Sequence, residues 1–391
     1  MLSRRRKRQA EEDAKRNQDQ ARFKERVRKT LGGPISTMPG AIGRGELLWC
    51  KYYQWLKDAG YLLRPRYSPE WVPSWQGTRK DWLECEDSIV PLVRCHILDA
   101  TRISDGQFVT LKFIKKSQHP FEIEIGQLFS SETLTSDPAN HCVPIYDVLH
   151  VPDDEDQAII VMPLLRPFTK PHFDTCGEVV ECFHQLFVGL QFIHKQHVAH
   201  RDCMALNIMM DATSLFIDPY HPQDIVMRRD FKGEARFFTR TQRPPKYFFI
   251  DFGISRRYDV NNVAPLEGPI WGGDKTVPEF QNSNEPRNPF PTDVYYLGNM
   301  IRNTFLLTKN GFEFMEPLVN DMIQNDPAKR PTMDEVVARF DQILKQLSSW
   351  KLRSRVVDKE DGNITGLYRG ATHWTRRIGY IIRRVPAMPT P

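Results

Sequence analysis

Near Leu165 the apolar residues of this chain change their period, and that change constrains the fold more than any other feature of the sequence. Before it, short apolar runs alternate with turn residues. Residues 82–115 read as strands, with Ile97-Leu98, the turn Ser104-Asp105-Gly106 and then Phe108 to Ile114 spelling a hairpin. Val143 to Leu149 and Ala158 to Met162 predict two more strands, split by the acidic loop Asp153 to Asp156, while Phe121 to Ser131 looks helical. After Leu165, Val179, Phe183, Leu186, Phe187, Leu190 and Ile193 share one helical face. Further helices are expected around Val294–Phe305, Phe312–Ile323 and Thr332–Leu347. A strand-rich first part followed by a helix-rich second part predicts an α+β chain of two lobes with a cleft between them.

The flanks read differently. Residues 1–30 are polar and without a regular apolar stripe, Leu31 to Gly45 is a Gly/Pro linker, and Leu47 to Leu63 is expected to be an amphipathic helix. The prolines of Arg64 to Gly77 exclude helix, and its tryptophans need a surface to cover. Charge is unevenly spread. Residues 1–30 carry 12 Lys/Arg against 5 Asp/Glu and residues 350–391 carry 9 against 3, although the whole chain is only +5. The middle is therefore acidic, which argues against nucleic-acid binding by the core and leaves the basic tails to seek an acidic partner or membrane surface. Arg4 to Arg8 also suits a nuclear-import patch. No apolar run reaches the roughly 20 residues of a transmembrane helix, and the basic N-terminus is unlike a secretory signal. The seven cysteines are odd in number and form no CxxC pair, so neither a disulfide framework nor a structural zinc is expected, and a cytoplasmic or nuclear location is.

Two polar clusters interrupt the helix-rich half. His200-Arg201-Asp202 is followed by Asn207, and Asp251-Phe252-Gly253 follows the apolar strand Tyr247-Phe248-Phe249. Phosphoryl transfer asks a protein for a carboxylate to accept the hydroxyl proton, oxygen ligands for Mg²⁺ and a cation on the phosphates. Asp202 suits the base, Asn207 and Asp251 the metal, and Lys112, in Val109-Thr110-Leu111-Lys112, the cation.

In that order of motifs the chain resembles the eukaryotic protein kinases. Val277-Pro278-Glu279 resembles their Ala-Pro-Glu, Asp293 to Gly298 their Asp-x-Trp-x-x-Gly helix, and Asp326-Pro327-Ala328-Lys329-Arg330-Pro331 their Asp-Pro-x-x-Arg-Pro segment. Within the superfamily it resembles divergent kinase-like proteins of mushroom-forming fungi. The resemblance covers roughly residues 85–347 and implies a bilobal kinase fold, with a smaller β-rich N-lobe (85–162) and a larger, mainly helical C-lobe (163–349). Residues 1–45 would be an arm and linker, 46–84 an extension packing on the N-lobe, and 350–391 a basic tail. It implies ATP and Mg²⁺ as cofactors, a protein substrate, and Asp202, Lys112, Asn207 and Arg201 as the catalytic groups. Arg330 should pair with Glu279. Lys112 should pair with Glu122 or Glu124; Glu124 is preferred because it places Leu128 four residues on, against Phe252, where Glu122 would place Gly126. Met162 resembles the gatekeeper, with Pro163, Leu164 and Leu165 offering backbone groups to adenine, Thr110 beside the adenine and Met209 as its floor. Arg201 hints at phosphate control of the activation segment, with Ser255, Tyr258 and Thr276 as acceptors and weak or absent control expected.

The chain also departs from the pattern. Glu86 to Cys95, where the phosphate-covering GxGxxG loop should lie, has no glycine. Thr110 replaces the usual alanine, Met204 the lysine of the Ser/Thr catalytic loop, and Gly272 the threonine before Ala-Pro-Glu. Asn207 and Asp251 stand 44 residues apart, about three times the family span, so 211–246 is an insert, either regulatory or a surface elaboration. Two functions compete: an active protein kinase, with Ser/Thr preferred, and a pseudokinase scaffold impaired by the missing loop. A small-molecule phosphotransferase is a third class.

Overall fold

A computed structural model describes residues 40–90, 95–262, 264–360 and 363–391. The arm 1–30, with its Arg4–Arg8 patch, and part of the stretch where the glycine loop would lie fall outside those residues. Two compact units result. The first takes in the described residues up to Val109 together with Arg229–Lys232; the second runs over Thr110–Arg228 and Gly233–Pro391.

In the first unit the expected helix 47–63 is broken into α1 (Leu47–Lys51) and α2 (Tyr53–Asp58), after which Gly60, at φ 94°, turns the chain into β1 (Tyr61–Leu63). β1 runs antiparallel to β2 (Ile97–Arg102), with Leu62 opposite Thr101. Residues 82–88 are not strand as expected but two short 3-10 turns. Asp81 caps the first by accepting from the Leu83 N–H at 3.0 Å, a local bond that competes with ladder formation. The Pro/Trp-rich segment is held by buried charge. Arg66 reaches Glu46 at 2.6 Å, and the Trp71 indole donates to Asp87 at 3.0 Å. Buried Asp99 receives Arg64 at 3.3 Å and, from the tip of the insert, Arg229 at 2.5 Å. The Arg229 guanidinium also stacks 3.9 Å over the Phe108 ring.

β3 (Phe108–Lys115) carries the chain into the second unit, where β5 (Gln157–Pro163) lies between it and β4 (Asp147–His150). β4 and β5 are antiparallel, Val148 facing Ile160. α3 (Glu122–Phe129) follows β3. Then comes α4 (Cys176–Lys195), the long helix expected from the periodicity, and all six residues read from its apolar face are buried. Thr175 and Glu178 close its N-terminus with a reciprocal capping box. Phe183 and Phe187 carry it into the core, edge-on to Phe305 at 4.9 Å and Phe340 at 5.0 Å. α5 (Pro289–Ile301), α6 (Glu316–Met322) and α7 (Met333–Gln346) complete the helical layer. A three-stranded sheet, β6 (Arg166–Pro167), β8 (Ile208–Met210) and β9 (Tyr247–Phe249), and a two-stranded pair, β7 (Val198–Ala199) with β10 (Arg256–Arg257), carry the polar clusters. α8 (Asn363–Ile382) ends the fold.

The insert grows out of the β8–β9 hairpin. Asp211 N–H donates to the Lys246 carbonyl at 2.9 Å at its base, and Arg236 grips Asp218 at 2.8 Å above it. Tyr220 and Phe216 stack on Arg166, their ring centroids 4.6 and 4.3 Å from its guanidinium.

Candidate active site

Lys112 is buried on β3. Its ammonium bonds Glu122, the first residue of α3, and Asp251 at 2.9 Å. Burial alone would lower its pKa, but the carboxylates of Glu122 and Asp251 outweigh that and hold it above its ordinary value. Asp251 sits between β9 and the turn Phe252–Ile254 in the left-handed region, at φ 68°, where a non-glycine residue is costly. Gly253 is needed by close approach: a Cβ there would lie 2.7 Å from the His119 ring and 3.0 Å from Glu122.

Glu124 is not the partner of Lys112. It is exposed, whereas Glu122 is buried against the ammonium. The preference for Glu124 rests on the residue four positions on meeting Phe252. Phe252 instead packs on Phe129, seven on from Glu122, at 5.4 Å. Gly126 is small for a different reason, since a Cβ there would strike the Ile145 side chain.

Around Asp202 a second set of bonds converges. The Asn207 amide donates to the Asp202 carboxylate at 2.7 Å and to its carbonyl at 3.1 Å, and the Ile250 N–H donates to the Asn207 carbonyl at 3.0 Å, tying this loop to Asp251. Burial is the main reason the Asp202 carboxyl titrates above its ordinary value; His200 and the Asn207 amide pull it down, and Asp251 and Asp293 push it up again. Its second oxygen, Oδ1, is buried with no hydrogen-bond partner among the described residues, and Gly273 (φ 70°) passes so close that a Cβ there would come within 2.6 Å of it. Sequence reasoning did not assign Asp293 a role. Fully buried on α5, it accepts from the His200 and Arg201 N–H groups at 2.8 and 2.6 Å and so fixes the loop's backbone. An aspartate in the first turns of an otherwise apolar helix was the available signal.

Arg201, expected among the catalytic groups, is held elsewhere. At φ 70° its backbone sends the guanidinium to the Ile254 and Gly268 carbonyls, both at 3.0 Å, and to the Glu267 carboxylate at 3.3 Å. Tyr258 donates to the same carboxylate at 3.1 Å. Arg201 is therefore a positioning residue. Ser255 is buried and donates to the His200 carbonyl at 2.9 Å, which removes it as an accessible acceptor; Thr276 is exposed. Glu279 and Arg330 form the expected pair, twofold at 2.8 and 2.6 Å and shut away from solvent.

The residues assigned to adenine are more dispersed. Thr110 shares a face of β3 with Lys112. Met162 lies on β5 within the core, and Met209 is half-buried on β8 opposite Phe248. The Leu164 carbonyl already accepts from the Tyr220 hydroxyl at 3.2 Å.

The side-chain oxygens here are those of the Asp251 and Asp202 carboxylates and of Asn207, whose nitrogen is turned to Asp202, hard donors of the kind a divalent cation takes; among the described residues no group of three or more His, Cys, Asp or Glu side chains is placed to hold a metal ion. No protein-family profile matches the chain. It is similar to a probable serine/threonine-protein kinase of Dictyostelium discoideum, 21% identical over an alignment of 277 residues that covers 61% of this chain and 26% of that protein. The chain thus spans about a quarter of that relative's length. The likeness supports a kinase-like relation over part of the chain.

Proposed function

We propose that this chain is a protein kinase that transfers the γ-phosphate of ATP to a protein hydroxyl, Ser/Thr in preference to Tyr. The observation that carries the proposal is the placing of Lys112 against both Glu122 and Asp251. An ammonium fixed by two carboxylates from separate elements is pre-oriented for a phosphate chain and costs no reorganisation when one arrives. Asp202, oriented by the Asn207 amide, accepts the hydroxyl proton of the substrate. Asn207 and Asp251 would hold Mg²⁺, which when bound neutralises phosphate charge. Thr110, Met162, Leu164 and Met209 would border the adenine. The bilobal kinase architecture, with lobes at 85–162 and 163–349, belongs to this same reading.

The pseudokinase scaffold is favoured by a separate observation. Glu86 to Ser88 is a 3-10 turn whose Glu86 is tied to Arg64 at 3.2 Å, and Glu86 to Cys95 contains no glycine to lay backbone amides on a phosphate. Thermal-shift titration with Mg·ATP followed by an autophosphorylation assay separates the two. A kinase is stabilised by nucleotide and labels itself, and Asp202→Asn binds but does not label. Stabilisation without labelling of the wild type selects the scaffold, and no response to nucleotide removes the kinase reading.

A further inference from the structure

The last helix, α8, carries large side chains on two faces, and the body of the protein covers one of them. His373, Arg377 and Tyr380 face inward: His373 meets Asp174 at 3.2 Å and the Arg353 carbonyl at 3.1 Å, Arg377 lies 3.6 Å over the Trp350 ring, and Tyr380 pairs with the Thr239 hydroxyl at 2.7 Å. Trp374, Ile378, Ile381 and Ile382 recur at spacings of four and three on the other side, and 48–76% of their surface is exposed. Trp350, its ring 6.1 Å from that of Trp374, extends the patch. A surface helix normally turns polar residues outward, so a stripe of large apolar groups marks a contact face.

Charge selects what covers it. Residues 350–391 carry 9 Lys/Arg against 3 Asp/Glu, and the stripe ends at exposed Arg383 and Arg384. A second copy docking by this same face would bring the same positive field, and the N-terminal arm, with 12 Lys/Arg against 5 Asp/Glu, would bring another. Both are disfavoured by like-charge repulsion. The complement is an anionic surface. A row of isoleucines closed by tryptophan at one end and arginines at the other suits the boundary of a bilayer, where Trp rings rest at headgroup level and long cationic side chains reach the phosphates. Among the described residues no helix is long and apolar enough to cross a membrane, so this one would lie in the interface.

We propose that the Trp374/Ile378/Ile381/Ile382 face of α8 docks this protein on anionic lipid membranes. The test is co-sedimentation of the full chain with vesicles of phosphatidylcholine alone or with about 30% phosphatidylserine. Binding is expected to the anionic vesicles, at least about tenfold weaker to neutral ones, and weakened as salt rises from about 0.1 to 0.5 M. Ile378→Glu/Ile382→Glu, at positions exposed to solvent, should abolish it with melting temperature unchanged, and Arg383→Glu/Arg384→Glu should erase the preference for phosphatidylserine. Three results overturn the proposal: no binding of the wild type to anionic vesicles, undiminished binding of the isoleucine variant, or a wild-type dimer in sedimentation that the same variant dissolves.

Discussion

Lys112 carries its charge where there is almost no water, and its two carboxylates make that tolerable. Glu122→Gln is therefore expected to cut autophosphorylation by about 10²-fold, as removal of one preorganised electrostatic partner does, while Glu124→Gln leaves it near wild type; radiolabel incorporation by the two variants checks this. A second outcome follows from Asp202. A base works deprotonated, and burial raises its carboxyl above the ordinary 3.8, so kcat/KM should fall on the acid side with a limb above that value. A limb below 3.8 would remove Asp202 from the base role. That Asp202, Asn207 and Asp251 come together was legible because carboxylate and amide side chains set directly beside apolar strands stand out from the packing pattern. The choice between Glu122 and Glu124 was not, because it depended on which residue of α3 meets Phe252, and the phenylalanine at 129 reaches it from further along the helix.

At the scale of elements, α5 and the segment before it are pinned by the Glu279–Arg330 pair. Burial pushes the Glu279 carboxyl up, but the Arg330 bonds prevail and hold it below its ordinary 4.5. A depressed carboxyl contributes stability that is complete above its unfolded pKa and is lost as pH falls through its folded one. Arg330→Met should cost about 3–5 kcal/mol near neutral pH, and the gap in melting temperature between variant and wild type should narrow as the pH is taken below 4.5. Thr175→Ala, which opens the capping box of α4, should cost about 1 kcal/mol in urea unfolding. The long helices could be read because six apolar positions repeat without interruption in α4. Residues 82–88 could not, because aspartate and serine side chains there bond nearby backbone and end a run that otherwise resembles strand.

For the whole molecule, the division at Val109 and the return of Arg229–Lys232 to the first unit had no counterpart in the sequence. Nothing in a local pattern couples Arg229 to Asp99, 130 positions away. Arg229→Met removes a guanidinium group that Asp99 receives beside that of Arg64, and about 2–3 kcal/mol of stability should be lost from that unit. Hydrogen exchange should quicken in β1 and β2 while α4 keeps its protection; uniform loss across both units would count against an anchoring role for the insert.

That return also sets how the protein can be taken apart. Because four residues of a distant hairpin complete the N-terminal body, no single cut in the chain releases it whole. A fragment ending at Val109 would forfeit the stacked arginine and the cation it brings, whereas nicking within 233–246 would leave that body furnished and divide only the second one. Limited proteolysis of this molecule should accordingly yield pieces that stay together until denatured.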